Sequence, residues 1–142
     1  MKLFKIKLLL LVFALPVVSC IPEIIPAATE AEIILEISRN WTGDMTEDGS
    51  PYGDFEATIS ADSGNDTQIL ISNFHNSGGV VTAIVYKDLA IDIPEQKIGS
   101  QTFSGTGDIS NDYSNITWDY TVELSDETIV QVTGTYTYGS AV

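Results

Sequence analysis

The sequence predicts an all-β domain, namely a single small antiparallel up-and-down barrel of about eight strands behind a short helix. From residue 40 onward, apolar and polar side chains alternate with a period of two, which is typical of strands that bury one face. Turn-forming residues separate these stretches at short intervals. A strip of such strands has two edges, and closure into a barrel removes both. A two-sheet β-sandwich is the alternative.

The first 19 residues are predicted to be a signal peptide. Lys2, Lys5 and Lys7 precede an apolar run at residues 8–18, which Pro16 alone interrupts. A run of this length suits the apolar region of a signal peptide and is too short to span a bilayer.

Cys20 follows Val17, Val18 and Ser19, and this ending resembles the bacterial lipobox. The resemblance implies cleavage before Cys20 and acylation of its sulfur; an ordinary signal peptide with a cysteine nearby is the alternative. Two or more acyl chains hold a protein stably on a membrane. Cys20 is the only cysteine, so its acylation would leave no thiol for a disulfide or for catalysis. Residues 20–28 would be a tether and residues 29–142 the barrel domain.

The part of the chain after Ser19 is strongly acidic. It carries all 20 acidic residues and only three basic ones, Arg39, Lys87 and Lys97. Such a surface repels phosphate backbones, so nucleic acid is not an expected partner. It could attract cations or a basic protein, or it could simply keep an exported domain soluble.

A short helix is predicted just before the strands. Thr29 and Glu32 fit a capping box, and Ile33, Ile34 and Ile37 would form an apolar stripe on a helix that ends near Arg39. Alternation of Ile33, Leu35 and Ile37 would also suit a strand, but Ile34 breaks that pattern.

The predicted strands are short and their registers are well specified, since a slip of one residue would expose a whole face. Pro94 is expected to end the strand before it, because proline cannot donate to a ladder. The alternating stretches are residues 54–60, 69–72, 80–86, 89–93, 116–124 and 128–138.

An ordered series of short motifs resembles small lipoproteins of the Bacteroidetes group that have lipocalin-like, or calycin-like, β-barrels. The series covers about residues 40–138 and implies the barrel fold and an envelope location, but no reaction. One departure is that Arg39 and Asn40 precede Trp41, where a lipocalin has Gly-x-Trp. The motifs are Ile71-Ser72-Asn73-Phe74, Gly78 or Gly79, Val80 to Val85, Ile91-Asp92-Ile93-Pro94-Glu95-Gln96, Ser104-Gly105-Thr106-Gly107 and Ile116-Thr117-Trp118-Asp119-Tyr120-Thr121-Val122.

No motif of a common enzyme class is present. The sequence contains neither Gly-x-Ser-x-Gly nor a phosphate-binding Gly-x-x-x-x-Gly-Lys. His75 is the only histidine, which makes a zinc site unusual and predicts a role in capping a strand end rather than in catalysis. An enzyme would need His75 to meet a serine and a carboxylate, or two carboxylates to face each other.

A calcium site is a further hypothesis that the acidic residues raise. Asp44, Glu47 and Asp48 cluster in sequence, as do Asp62 and Asp66, but neither group follows the ligand order of an EF-hand. We expect these acidic turn residues to be solvated, and we predict no metal and no cofactor.

The aromatic residues on inward faces are predicted either to fill the core or to line a cavity. Tyr138 is expected on the same face. We predict a non-enzymatic protein of the cell envelope, expected at the outer membrane, that binds a small apolar ligand inside the barrel; the alternative is a structural or interaction module that meets an envelope protein through its acidic outer face. The candidate ligand-binding residues are Phe103, Trp118, Tyr120 and Tyr136.

Overall fold

The computed structural model describes residues 26–139, so the predicted signal peptide, Cys20 and most of the tether lie outside the described residues. One helix precedes eight strands. The elements are α1 (Glu30–Ile37), β1 (Asn40–Glu47), β2 (Ser50–Ala61), β3 (Gln68–Ser72), β4 (Val80–Val85), β5 (Ala90–Ile98), β6 (Gln101–Ile109), β7 (Asn115–Glu123) and β8 (Ile129–Thr137), with a 3-10 helix at Phe74–Asn76 between β3 and β4.

The strands form one closed barrel in chain order. Each strand pairs antiparallel with the next, and β1 pairs with β8 to close the ring. The predicted up-and-down barrel is therefore confirmed, and the pairing of β1 with β8 excludes the two-sheet sandwich. We call the end that α1 covers the helix end, and the opposite end, where the 3-10 helix lies, the plug end.

The helix α1 closes the helix end of the barrel. Glu32 N–H donates to Thr29 Oγ1 (3.3 Å), and Thr29 N–H donates to the Glu32 carboxylate (2.8 Å), so the predicted capping box is present. Ile33, Ile34 and Ile37 are buried, whereas Leu35 is 76% exposed, which confirms the helix over the strand alternative. Across the described residues, no helix combines the length and the apolar character that a membrane span requires.

Glycines make room for the large rings inside the barrel. Trp118 in β7 faces Gly107 in β6 and Gly134 in β8, and Tyr136 faces Gly43. A Cβ atom built on Gly107 would lie 2.6 Å from Trp118 Cε3, well inside contact distance. In the interior, each of these large rings therefore lies opposite a glycine on the next strand, which has no side chain to occupy the same space.

The expectation that Pro94 ends its strand is wrong, because β5 continues to Ile98 across an irregularity between Ile93 and Gln96. The side chain of Gln96 makes this possible. Its Oε1 accepts from Thr82 N–H (2.8 Å) and its Nε2 donates to Thr82 O (2.7 Å). This amide takes the place of main-chain pairing between β4 and β5, whose ladder contains only two residue pairs.

Candidate functional site

The four aromatic residues singled out by the sequence meet inside the barrel. Phe103 on β6, Trp118 and Tyr120 on β7 and Tyr136 on β8 are each at most 1% exposed. The rings of Trp118 and Tyr136 pack edge to face with centroids 5.3 Å apart. The predicted inward orientation of these four side chains is what the structure shows, but their burial does not by itself identify a ligand.

Phe74 occupies the space that these four rings surround. It is fully buried, and its ring centroid lies 5.8 Å from Phe103, 5.5 Å from Trp118, 4.7 Å from Tyr120 and 6.3 Å from Tyr136. Phe74 comes from the connection between β3 and β4, which folds into the mouth of the barrel. In the sequence, Phe74 is visible only as part of the Ile71–Phe74 motif, and its position a few residues before Gly78 and Gly79 is the available signal.

The segment that carries Phe74 has an unusual main chain. We call residues 73–76 the plug segment; Asn73, His75 and Asn76 all have left-handed backbone angles, with φ of 58°, 55° and 51°. Residues other than glycine adopt this conformation at a cost and hold it only where surrounding contacts impose it. The left-handed residues turn the chain sharply enough to point Phe74 inward.

Asn73 supplies much of that restraint. Its Nδ2 donates to Glu56 O (2.7 Å), and its Oδ1 accepts from Gly78 N–H (2.9 Å). Its main-chain N–H donates to Gly79 O (2.8 Å). Asn73 thus ties the plug segment to β2 on one side and to the glycine turn on the other.

His75 joins the plug segment to three strands. Its Nδ1 lies 2.8 Å from the Tyr120 hydroxyl, and its Nε2 lies 3.0 Å from Glu47 Oε1. Tyr52 stacks on the imidazole with centroids 4.7 Å apart and donates from its hydroxyl to His75 O (3.3 Å). The sequence predicted a cap at a strand end; His75 does follow β3, but it is 4% exposed and makes long-range contacts that spacing along the chain does not reveal.

The tautomer of His75 follows from these partners. A carboxylate only accepts, so in the neutral ring Nε2 carries the proton and Nδ1 accepts from the Tyr120 hydroxyl. Burial lowers the pKa of His75 and raises that of Tyr120, whose hydroxyl is also close to Tyr136 and Glu47. Both groups are therefore held neutral, and the cluster is fully hydrogen-bonded in that state.

This arrangement of hydroxyl, imidazole and carboxylate has the order of a catalytic relay but not its accessibility. Tyr120 is 1% exposed, so a substrate cannot reach its hydroxyl in this conformation. Its raised pKa also keeps the phenol protonated, which makes it a poor nucleophile. Beside His75, where an enzyme of this kind would have a serine, lies the buried Tyr120. What the cluster does in this structure is hold the plug segment in place.

Two polar atoms inside the barrel are left without partners. Within residues 26–139, neither Trp118 Nε1 nor the Tyr136 hydroxyl makes a hydrogen bond. The Tyr136 hydroxyl lies near the main chain of His75 without forming a well-aligned bond, and burial raises its pKa. Buried polar groups nearly always have a hydrogen-bond partner, so these two atoms mark a place in the interior where hydrogen-bond partners are missing.

The acidic residues considered for calcium do not converge. Asp48 accepts from Gln131 N–H (3.0 Å), Asp62 accepts from Gly64 N–H (2.9 Å), and Glu47 contacts His75. Asp44 lies on the outer face of β1, directly opposite Asp54 on β2. Over residues 26–139, no group of three or more His, Cys, Asp or Glu side chains is arranged to hold a metal ion.

Tyr138 does not share the interior face, as the period of two had suggested. It lies past the end of β8 and is 45% exposed, and its ring stacks 4.3 Å below the Arg39 guanidinium. Arg39, Tyr138 and the first residues of β1 line an outer groove of about 420 Å³ at the helix end. The expectation that Tyr138 points inward is therefore wrong, because the strand ends one residue earlier than the pattern.

Comparison with known proteins supports the fold. No protein-family model matches the chain, and no curated protein matches it. A solved structure of a redesigned β-barrel is similar, with a TM-score of 0.51 and 14% identity, covering 76% of this chain and 96% of that one. The structure of EF1p2_mFAP2b bound to DFHBI is also similar, with a TM-score of 0.52 and 15% identity, covering 78% of this chain and 100% of that one. At these identities the likeness shows a barrel fold alone.

Proposed function

We propose that this chain is a non-enzymatic binding protein, held on a bacterial envelope membrane through acylated Cys20, that takes a small, largely apolar ligand into its barrel in place of Phe74. The single observation that carries the proposal is the position of Phe74 among Phe103, Trp118, Tyr120 and Tyr136. One side chain from a loop fills a ring-lined space, as a bound aromatic molecule would.

The way Phe74 is delivered supports exchange with a ligand. Phe74 comes from a 3-10 helix of only three residues in the connection between β3 and β4, and not from a strand of the barrel. The left-handed residues around it cost free energy, which is recovered when the segment relaxes. Displacement of this segment needs no break in the barrel's strand pairing.

The similar barrel of EF1p2_mFAP2b was solved bound to DFHBI, which supports the idea that a barrel of this architecture can bind a small molecule. It does not identify the ligand of this chain, because the two share only 15% of their residues. The lipobox-like ending at Cys20 supports the anchor, and the expected outer-membrane location is part of the same proposal.

The test compares aromatic probes, with DFHBI first, on the full chain and on a Phe74→Leu variant. The variant removes the ring and leaves a smaller cavity than alanine would, so it costs less than the ~3–5 kcal/mol typical of Phe→Ala. We expect the variant to bind probes more tightly, because no ring has to be displaced. Ile33→Val, which loosens packing at the helix end, is the matched control and should gain nothing.

Two results would count against the proposal. One is that neither the full chain nor Phe74→Leu binds any probe while both remain folded. The other is that Ile33→Val gains as much affinity as Phe74→Leu, which would indicate general loosening rather than a site at Phe74.

A second function is favoured by a different observation, the direct opposition of Asp44 and Asp54 on the outer face. Like charges in directly opposed positions destabilise a sheet, so a basic protein partner would reduce the electrostatic repulsion between these two carboxylates. Capture of such a partner should weaken as salt rises. An Asp44→Asn, Asp54→Asn double variant that retains the partner would exclude this face.

A further inference from the structure

The unpartnered atoms of Trp118 and Tyr136 narrow the chemistry of the ligand, an inference that rests on the proposed function. The indole Nε1–H can only donate, and it is buried without an acceptor among residues 26–139. The Tyr136 hydroxyl is also buried; it lies near the main chain of His75 but donates to no acceptor within the same residues. Each therefore lacks a hydrogen-bond acceptor that a ligand or a water molecule could supply.

Both atoms belong to rings that touch Phe74, with centroid distances of 5.5 Å for Trp118 and 6.3 Å for Tyr136. The two rings also contact each other, at 5.3 Å. Phe74 is a hydrocarbon and can offer neither donor an acceptor. A molecule that takes the place of Phe74 could accept hydrogen bonds from both donors.

The surroundings select against charge. Among the described residues, His75 is the only buried core residue apart from tyrosines and tryptophans that carries a polar group, and it is already bonded to Tyr120 and Glu47. The Glu47 carboxylate lies at the plug end, where it would repel an anion. A carboxylate ligand would be desolvated without a cation beside it, which is strongly unfavourable.

We propose that the barrel selects a neutral, mainly aromatic molecule that carries a hydrogen-bond acceptor oxygen, such as a ketone or an ester, and that Trp118 Nε1–H donates to this oxygen with the Tyr136 hydroxyl as a second donor. The ring of the molecule occupies the position of Phe74. The oxygen gives the orientation, and the four aromatic side chains give the affinity.

The experiment uses two probes of nearly the same shape, acetophenone, which has a carbonyl, and α-methylstyrene, which has a methylene group in its place. Both are titrated into the full chain and into its Tyr136→Phe and Trp118→Phe variants. Tyr136→Phe keeps the ring and removes only the hydroxyl. Comparison of variants with one probe at a time removes the difference in water solubility between the probes.

Nuclear magnetic resonance of the ¹⁵N-labelled chain supplies a direct readout. The chain contains two tryptophans, so it has two indole N–H signals. Trp41 Nε1 already donates to Ile37 O (3.0 Å) and serves as the internal control. We expect acetophenone, and not α-methylstyrene, to move the Trp118 indole signal in the direction of a new hydrogen bond, while the Trp41 signal stays in place.

In the binding assay, each variant should weaken acetophenone by about three- to ten-fold, the effect of one neutral hydrogen bond. The affinity for α-methylstyrene, which has no acceptor oxygen, should change less than the affinity for acetophenone in both variants. If both probes bind and the variants weaken them equally, the selectivity is wrong although the barrel still binds ligands, and buried water then satisfies the two donors. If neither probe binds the full chain or Phe74→Leu, the proposed function itself fails.

Discussion

Glu47 and His75 connect the β1–β2 hairpin to the plug segment, with Oε1 and Nε2 3.0 Å apart. This contact, together with the bond from Tyr120 to Nδ1, secures the imidazole at both nitrogens. Loss of either partner should loosen the plug segment before it affects the barrel, whose strand pairing does not involve these side chains.

Glu47→Ala should therefore destabilise the plug segment by about 0.5–1.5 kcal/mol, the net value of one hydrogen bond. Glu47→Gln keeps an acceptor oxygen at the same position and should behave much more like the original protein. Hydrogen exchange of the amides at residues 73–79 measures the effect. Equal protection in the alanine variant would show that Glu47 does not hold the segment.

Stability should fall as the pH drops below the ordinary pKa of histidine, about 6.5. Burial lowers the pKa of His75 in the folded protein. The unfolded chain then binds the proton more readily, so the contribution is complete above pH ~6.5 and is lost as the pH falls toward the folded pKa.

Urea unfolding at several pH values between about 7.5 and 5 measures this dependence. The control is His75→Gln, which should flatten the slope in that window. A variant with an unchanged slope would assign the dependence to other groups.

Gln96→Ala should open the seam between β4 and β5. It would leave the N–H and the carbonyl of Thr82 without the side-chain amide that now bonds both, at a cost of about 1–3 kcal/mol for an unsatisfied group. Fast exchange of the Thr82 amide and a lower urea midpoint are the expected signs. Gln101→Ala, on the neighbouring strand, should change neither.

Gly107→Ala should destabilise the barrel by about 1–3 kcal/mol, because the added methyl group meets the ring of Trp118. Gly64→Ala lies in an exposed turn, where the nearest atom would be Asp62 Oδ1 at 3.5 Å, and should have little effect. Thermal unfolding of both variants decides the matter. A tolerated alanine at position 107 would indicate that the interior holds spare volume.

Cys20→Ser should release the protein from the membrane fraction if Cys20 carries the acyl chains, because serine offers no thiol to acylate. Mass spectrometry of the original protein should show the added lipid, and cell fractionation should show the loss of membrane association. A variant that stays in the membrane fraction would refute the lipid anchor.

The sequence predicted those parts of the structure that depend on neighbouring residues. The capping box at Thr29 and Glu32 places α1, and alternation from Ile116 onward places β7 with Trp118 and Tyr120 inside. Because turn residues connect strands that are adjacent in the chain, the barrel order followed as well.

What the sequence could not predict depends on distant contacts. The inward course of Phe74 depends on the left-handed plug segment, and the partners of His75 come from β1 and β7. The continuation of β5 past Pro94 depends on a side chain that bonds across to Thr82. Alternation along one strand contains no record of such interactions.

The pairing of β1 with β8 also has a consequence for the order of folding. Seven of the strand pairs join neighbours along the chain and can form as local hairpins, whereas β1 and β8 stand at opposite ends of the sheet sequence. Bringing these two together costs the most loop entropy, which slows the formation of such contacts. We therefore expect the contacts between β1 and β8, among them the pair Met45 and Gly134, to form late in folding.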